Sequence, residues 1–119
     1  MNIKVLAVIL CIGLAGCTSV SPGGYYWGKY SYSYHELLKN PGDTTRAAHV
    51  VTLQDIIATS KEKSLRTPPG IHAELGNLLS NANRNDEAAA QYQAERDLYP
   101  ESAVFLQRLL VKVKTGAKE

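Results

Sequence analysis

The sequence predicts an all-α protein: a short array of about five helices built around one helix-turn-helix. Three observations lead there. Apolar residues recur at three- and four-residue spacing through most of the chain beyond residue 25. The runs are separated by turn chemistry, Asn40-Pro41-Gly42-Asp43, Thr67-Pro68-Pro69 and Pro100-Glu101-Ser102. Between the last two of these, residues 69–102 read as two amphipathic helices joined by the polar turn Asn81-Ala82-Asn83-Arg84-Asn85. With 119 residues the chain has room for one small domain.

Charge and cysteine content exclude several classes of function. A net charge of +2, with Lys and Arg spread along the chain, offers no basic stripe for phosphates, so no nucleic-acid partner is expected. Both cysteines, Cys11 and Cys17, fall in the leader, so no disulfide framework holds the domain.

The first element is that leader. Lys4 is followed by the apolar run from Val5 to Leu14, too short for a stable membrane span and arranged as a secretory signal. It ends in Leu14-Ala15-Gly16-Cys17, which resembles the lipobox of bacterial lipoproteins. The resemblance implies cleavage after residue 16, diacylglycerol on the Cys17 thiol and acylation of the new amino group. Several acyl chains on one residue give firm anchoring. Thr18 stands where Asp would favour inner-membrane retention, which implies the periplasmic face of the outer membrane of a Gram-negative bacterium. Residues 17–24 then form a small, polar, Gly/Pro-containing tether with a reach of about 25 Å.

The domain is expected to occupy residues 25–114. It opens on Tyr25-Tyr26-Trp27-Gly28-Lys29-Tyr30-Ser31-Tyr32-Ser33-Tyr34, which holds six of the eight Tyr and Trp residues. Trp27, Tyr30, Tyr34, Leu37 and Leu38 share a helical face, and the continuation into two leucines favours core packing. Exposed aromatics beside a lipid anchor would instead suit a membrane interface or a binding platform. Tyr25, Tyr26 and Tyr32 fall off the stripe and are the candidates for a contact surface.

A second helix is expected over 44–63, with Ala47, Val50, Val51, Leu53, Ile57 and Ile56 on a broad inner side and Asp43 or Thr44 as cap. The third, over 69–82, starts on Pro69 and turns Ile71, Leu75, Leu78 and Leu79 inward. Gly76 among them would let another helix come close, and Asn83 suits a left-handed C-terminal cap. The fourth, over 86–98, is capped by Asn85, favoured by Asp86 and Glu87 in its first turn, and presents Ala88, Ala89, Tyr92 and Leu98. A fifth, from Ser102 to about 114, carries Val104, Phe105, Leu106, Leu109, Leu110 and Val113. Residues 115–119 read as a frayed tail.

In residues 69–102 the hairpin resembles a tetratricopeptide repeat, a 34-residue helix-turn-helix. Leu75-Gly76 fall on its Leu-Gly pair, Leu79 on the next large apolar position, Ala88 on the small position of the second helix, Tyr92 on its aromatic and Pro100 on the closing proline. His72 and Glu95 depart from the pattern, and Glu95 suggests a loosely covered face. One repeat cannot bury its own apolar sides, so the flanking helices must supply neighbours. The resemblance implies that Ala73, Asn77, Ser80 and Asn81 face a groove in which Asn and Ser bond an extended peptide.

Residues 25–114 also resemble a group of small bacterial lipoproteins that share a domain of unknown function. Tyr26-Trp27-Gly28, residues 68–76 and residues 99–105 carry that resemblance. Members are often encoded beside a lipoprotein similar to the curli secretion channel, which implies a shared envelope assembly and no known activity.

Catalytic patterns are not found. His35, His49 and His72 lack metal-ligand spacing and are expected to be satisfied or exposed, so neither a metal nor another cofactor is anticipated. Asp86, Glu87, Glu74, Glu95 and Glu101 are read as helix-start and surface acids rather than an acid–base pair. The expectation is a non-catalytic outer-membrane lipoprotein, a scaffold or accessory subunit contacting another envelope lipoprotein or periplasmic protein. The alternative is a lipoprotein that binds glycan or peptidoglycan through exposed aromatics, and an envelope hydrolase is a distant third.

Overall fold

The structure, a computed structural model, describes residues 23–116. Cys17, the leader and residues 117–119 lie outside the described residues. The chain forms α1 (Tyr30–Lys39), α2 (Asp43–Glu62), α3 (Ile71–Asn81), α4 (Asn85–Leu98), a 3-10 turn (Pro100–Ser102) and α5 (Ala103–Thr115). No strand occurs among the described residues, so the predicted all-α short array is observed. Each helix packs chiefly on its neighbour in sequence, and α3 with α4 is the most extensive pair.

That pair is close because of Gly76. A Cβ built there would lie 2.6 Å from Tyr92 Cε1 and 3.2 Å from the Ala88 carbonyl oxygen, so only glycine admits the ring. The core runs through four helices: Leu53 and Ile56, then Ile71, Leu75 and Leu79, then Ala88 and Tyr92, then Leu106, Leu110 and Val113. Full burial of each large side chain contributes about 1.5–3 kcal/mol before entropic losses. Leu78, Ala89 and Leu109 are half-buried against it.

Two helix ends are set by left-handed residues other than glycine. Asn83 has φ +58°, as anticipated, and lets Arg84 N–H reach the Leu79 carbonyl while Asn83 N–H reaches Ser80. Ser64, with φ +53°, performs the same closure on α2, sending Leu65 N–H to the Ser60 carbonyl. The stop of α2 therefore precedes Thr67-Pro68-Pro69 and does not depend on the prolines.

Several expectations are corrected. The stripe on α1 is only in part a core face: Tyr30 packs half-buried against the apolar core, but Trp27, Tyr34 and Leu38 are exposed, and Ser33 is the one buried residue of the helix. Helix α1 starts only at Tyr30, so Trp27 lies outside it, and the rings pack chiefly on one another, with Tyr30 also against the apolar core. On α2, Ala47 and Val51 face outward, while His49 and Ser60 are fully buried. On α5, Val104 and Phe105 point to solvent.

The capping assignments also change. Gly42 precedes α2 and Arg84 precedes α4, neither start having a side-chain cap; Asp43 and Asn85 are instead the first helical residues. Asp43 pairs with Arg46 at 2.8 Å and Glu87 with Arg84 at 2.6 Å, one turn along each helix. Helix α3 begins at Ile71 after Gly70, at φ +90°, rather than on Pro69.

Candidate functional site

The polar centre of the molecule joins the first three helices. His49, fully buried on α2, meets the Ser33 hydroxyl of α1 with Nδ1 at 2.8 Å and Glu74 Oε1 of α3 with Nε2 at 2.7 Å. Tyr30 donates its hydroxyl to Glu74 Oε2 at 2.8 Å. Burial, and then this bond to a carboxylate, raises the Tyr30 phenol well above its ordinary range. Tyr30 and Tyr34 stack at 5.7 Å and both rings tilt over His49.

Chemically this is a clamp. Ser33 is buried and also bonds the Tyr30 carbonyl at 3.1 Å. Its hydroxyl is therefore held inside α1, and the constellation ties that helix, which adds no residue to the buried apolar cluster, to the rest. The other buried histidine, His72, bonds Gln91 Oε1 through Nδ1 at 2.7 Å, while His35 is exposed. No group of three metal-ligating side chains occurs among the described residues.

Glu95 is neither a surface acid nor part of a loosely covered face. It is 3 % exposed, and its carboxylate accepts Gly70 N–H at 2.7 Å and Ala73 N–H at 3.3 Å. A residue of α4 thus caps α3, where free amide groups and the helix dipole favour negative charge. Glu74 too departs from the surface role expected of it, because His49 and Tyr30 hold it.

Two surfaces near these helices suit recognition. The first is a groove of about 680 Å³ between the first half of α2 and the end of α3. Ala47, Val50, Val51, Leu78, Leu79 and Ala82 give it an apolar lining, with Gln54, Asn81 and the Arg46 and Arg84 side chains among its polar groups. Val51 is 63 % exposed. Of the four residues expected to face a groove, Asn81 lines this one. Asn77 is exposed elsewhere on α3, and Ala73 and Ser80 are half-buried.

The second surface is aromatic. Tyr25 meets Trp27 edge to face at 6.3 Å, and Trp27 meets Tyr30 in the same way at 5.6 Å. Tyr32 stands apart, 69 % exposed, and Tyr26 is half-buried with its hydroxyl 3.4 Å from Asp55 Oδ2. Tyr99, which the sequence marked only as part of the family resemblance, anchors this region: it donates to the Thr67 carbonyl at 2.7 Å and lies under Arg66 at 4.2 Å. Burial, and then a hydrogen bond with Tyr25, raises its phenol.

Fold and surfaces together define a short all-helical array with an apolar groove and an aromatic flank. The sequence profile of the family described as a domain of unknown function (DUF4810) matches residues 25–109, and the chain belongs to that family. Comparison with curated proteins and with solved structures gave no match.

Proposed function

We propose that the protein is an outer-membrane lipoprotein, anchored through acyl chains on Cys17, that serves as a non-catalytic scaffold or accessory subunit of a periplasmic envelope or secretion assembly. The observation that carries this reading is the groove between α2 and α3. It joins exposed apolar side chains, Val51 foremost, to the amide groups of Gln54 and Asn81. Apolar anchors ringed by groups that bond a backbone suit a peptide or helix of a partner protein. Helix α3, which forms one wall of the groove, belongs to the hairpin whose sequence resembles a tetratricopeptide repeat, and that resemblance supports the same use.

Affinity capture of the tagged, full-length protein from envelope membranes tests this. The reading expects another envelope protein to be recovered, and expects Val51→Arg to reduce that recovery while a surface change at Glu101 does not. Equal recovery from all three proteins would count against the groove.

One observation favours a second reading, a glycan- or peptidoglycan-binding lipoprotein: Tyr25, Trp27 and Tyr34 are each about two-fifths exposed in one continuous ring cluster. Saturable quenching of Trp27 by peptidoglycan fragments would support it, and its absence would remove it.

A further inference from the structure

Helix α5 closes the array and is apolar on both sides. Leu106, Leu110 and Val113 face α4, whereas Val104, Phe105 and Val111 stay 72 %, 59 % and 51 % exposed. Residues 104, 108, 111 and 115 follow one line down the helix, so Arg108 stands between the two exposed valines. The helix carries Arg108, Lys112 and Lys114 and no acid; Glu101, in the 3-10 turn before it, is the nearest acidic residue along the described chain. The end helix of an array ordinarily has a polar outer side. A side that mixes exposed apolar groups with cations has the make-up of a helix lying on an anionic lipid surface.

The route of the chain adds to this. Gly23 lies against Leu65, the neighbouring Arg66 covers the Tyr99 ring at 4.2 Å, and Tyr99 immediately precedes the 3-10 turn that leads into α5. The first described residues therefore lie near the start of α5, on which Val104 and Phe105 are exposed. Trp27, packed edge to face on Tyr25, brings a half-exposed indole to the same end. We infer that the outer side of α5, with Val104, Phe105, Arg108 and Val111, rests on an anionic phospholipid surface and orients the domain there. The inference rests on the lipoprotein reading for the presence of the bilayer. Its surface chemistry is independent of that reading.

The test uses the full-length protein purified from membranes, with Trp27→Phe and Phe105→Trp so that one tryptophan reports from α5. The mass of the N-terminal peptide first establishes whether Cys17 is acylated. The protein is then placed on vesicles of phosphatidylethanolamine and phosphatidylglycerol with brominated chains, and on brominated phosphatidylcholine vesicles for comparison. Strong quenching on the anionic vesicles is expected, reduced at least about fivefold by Arg108→Glu with Lys114→Glu, as loss of surface cations requires. Val104→Trp should give the same reading one residue away, which guards against a local disturbance at position 105.

Acylated, vesicle-bound protein with tryptophans at 104 and 105 unquenched on both lipids would overturn the inference and leave the scaffold reading standing. So would a residue 105 shielded from acrylamide in native membranes yet unquenched by brominated lipid, because a protein would then cover α5. An unacylated N-terminus would instead sink the anchoring; quenching of the same protein by added anionic vesicles would still support the α5 surface, and none would end it.

Discussion

His49 Nε2 and Glu74 Oε1 lie 2.7 Å apart, and this contact between a fully buried ring on α2 and a partly covered carboxylate on α3 is the centre of a bond set that also holds α1. A carboxylate oxygen accepts, so Nε2 donates to Glu74, and Nδ1 faces the Ser33 hydroxyl. Because α1 buries only Ser33, its place in the fold depends on these polar contacts more than on apolar area. His49→Ala would leave Ser33, Glu74 and Tyr30 without their shared partner and open a cavity. A loss of about 2–4 kcal/mol is expected by chemical denaturation. Hydrogen exchange should show α1 amides losing protection before those of α4.

Gly76 and Tyr92 give a sharper steric prediction. The ring that a Cβ would strike is 1 % exposed, and the Ala88 carbonyl oxygen lies 3.2 Å from the same Cβ, so the added methyl has no free side to move toward. Gly76→Ala should cost about 1–3 kcal/mol in thermal unfolding. Gly42→Ala is the control: its backbone is extended and nothing lies within 4 Å of the added methyl, so stability should stay within about 0.5 kcal/mol of the parent.

Glu95 caps α3 from α4, and its replacement separates charge from shape. Glu95→Gln turns an amide NH₂ toward at least one of the Gly70 and Ala73 N–H groups, leaving a buried donor unpaired at a cost of about 1–3 kcal/mol. Urea denaturation of Glu95→Gln beside Glu95→Ala measures this. A substitution with no effect in either form would show that the cap contributes nothing.

Tyrosine ionisation gives a pH dependence. Tyr30, Tyr92 and Tyr99 all have phenols raised by burial, with added hydrogen bonds at Tyr30 and Tyr99. A raised folded-state value means that the neutral form is favoured by folding. Its stabilising share is complete below the unfolded phenol value of about 10 and falls as pH rises above it. Absorbance at 295 nm should show three of the seven tyrosines titrating late. Tyr30→Phe should flatten the alkaline decline in stability.

What the sequence made legible follows the physics of its residue types. Gly76 in an apolar helical run and Asn83 after one are informative because their backbones do what few residues can, and both behave as read. Charged and polar residues in the core are not legible in that way. Glu95, Glu74 and His49 carry surface-typical side chains, and only the approach of a second helix supplies the donors that make burial tolerable. The stripe from Trp27 to Leu38 misled for a related reason: ring-on-ring contact and a clamp to His49 satisfy α1 without a deep apolar face. Val51 and Phe105 fit the helical period of a core and are exposed because no described helix packs over them.

The scaffold reading is tested most directly by a photo-crosslinking amino acid placed at Val51, and separately at Asn77, in the full-length protein in living cells. Val51 lines the groove and Asn77 is exposed outside it. The account predicts a reproducible crosslink to one envelope protein from position 51 and little or none from position 77. Crosslinks from both positions alike, or to peptidoglycan alone, would contradict it.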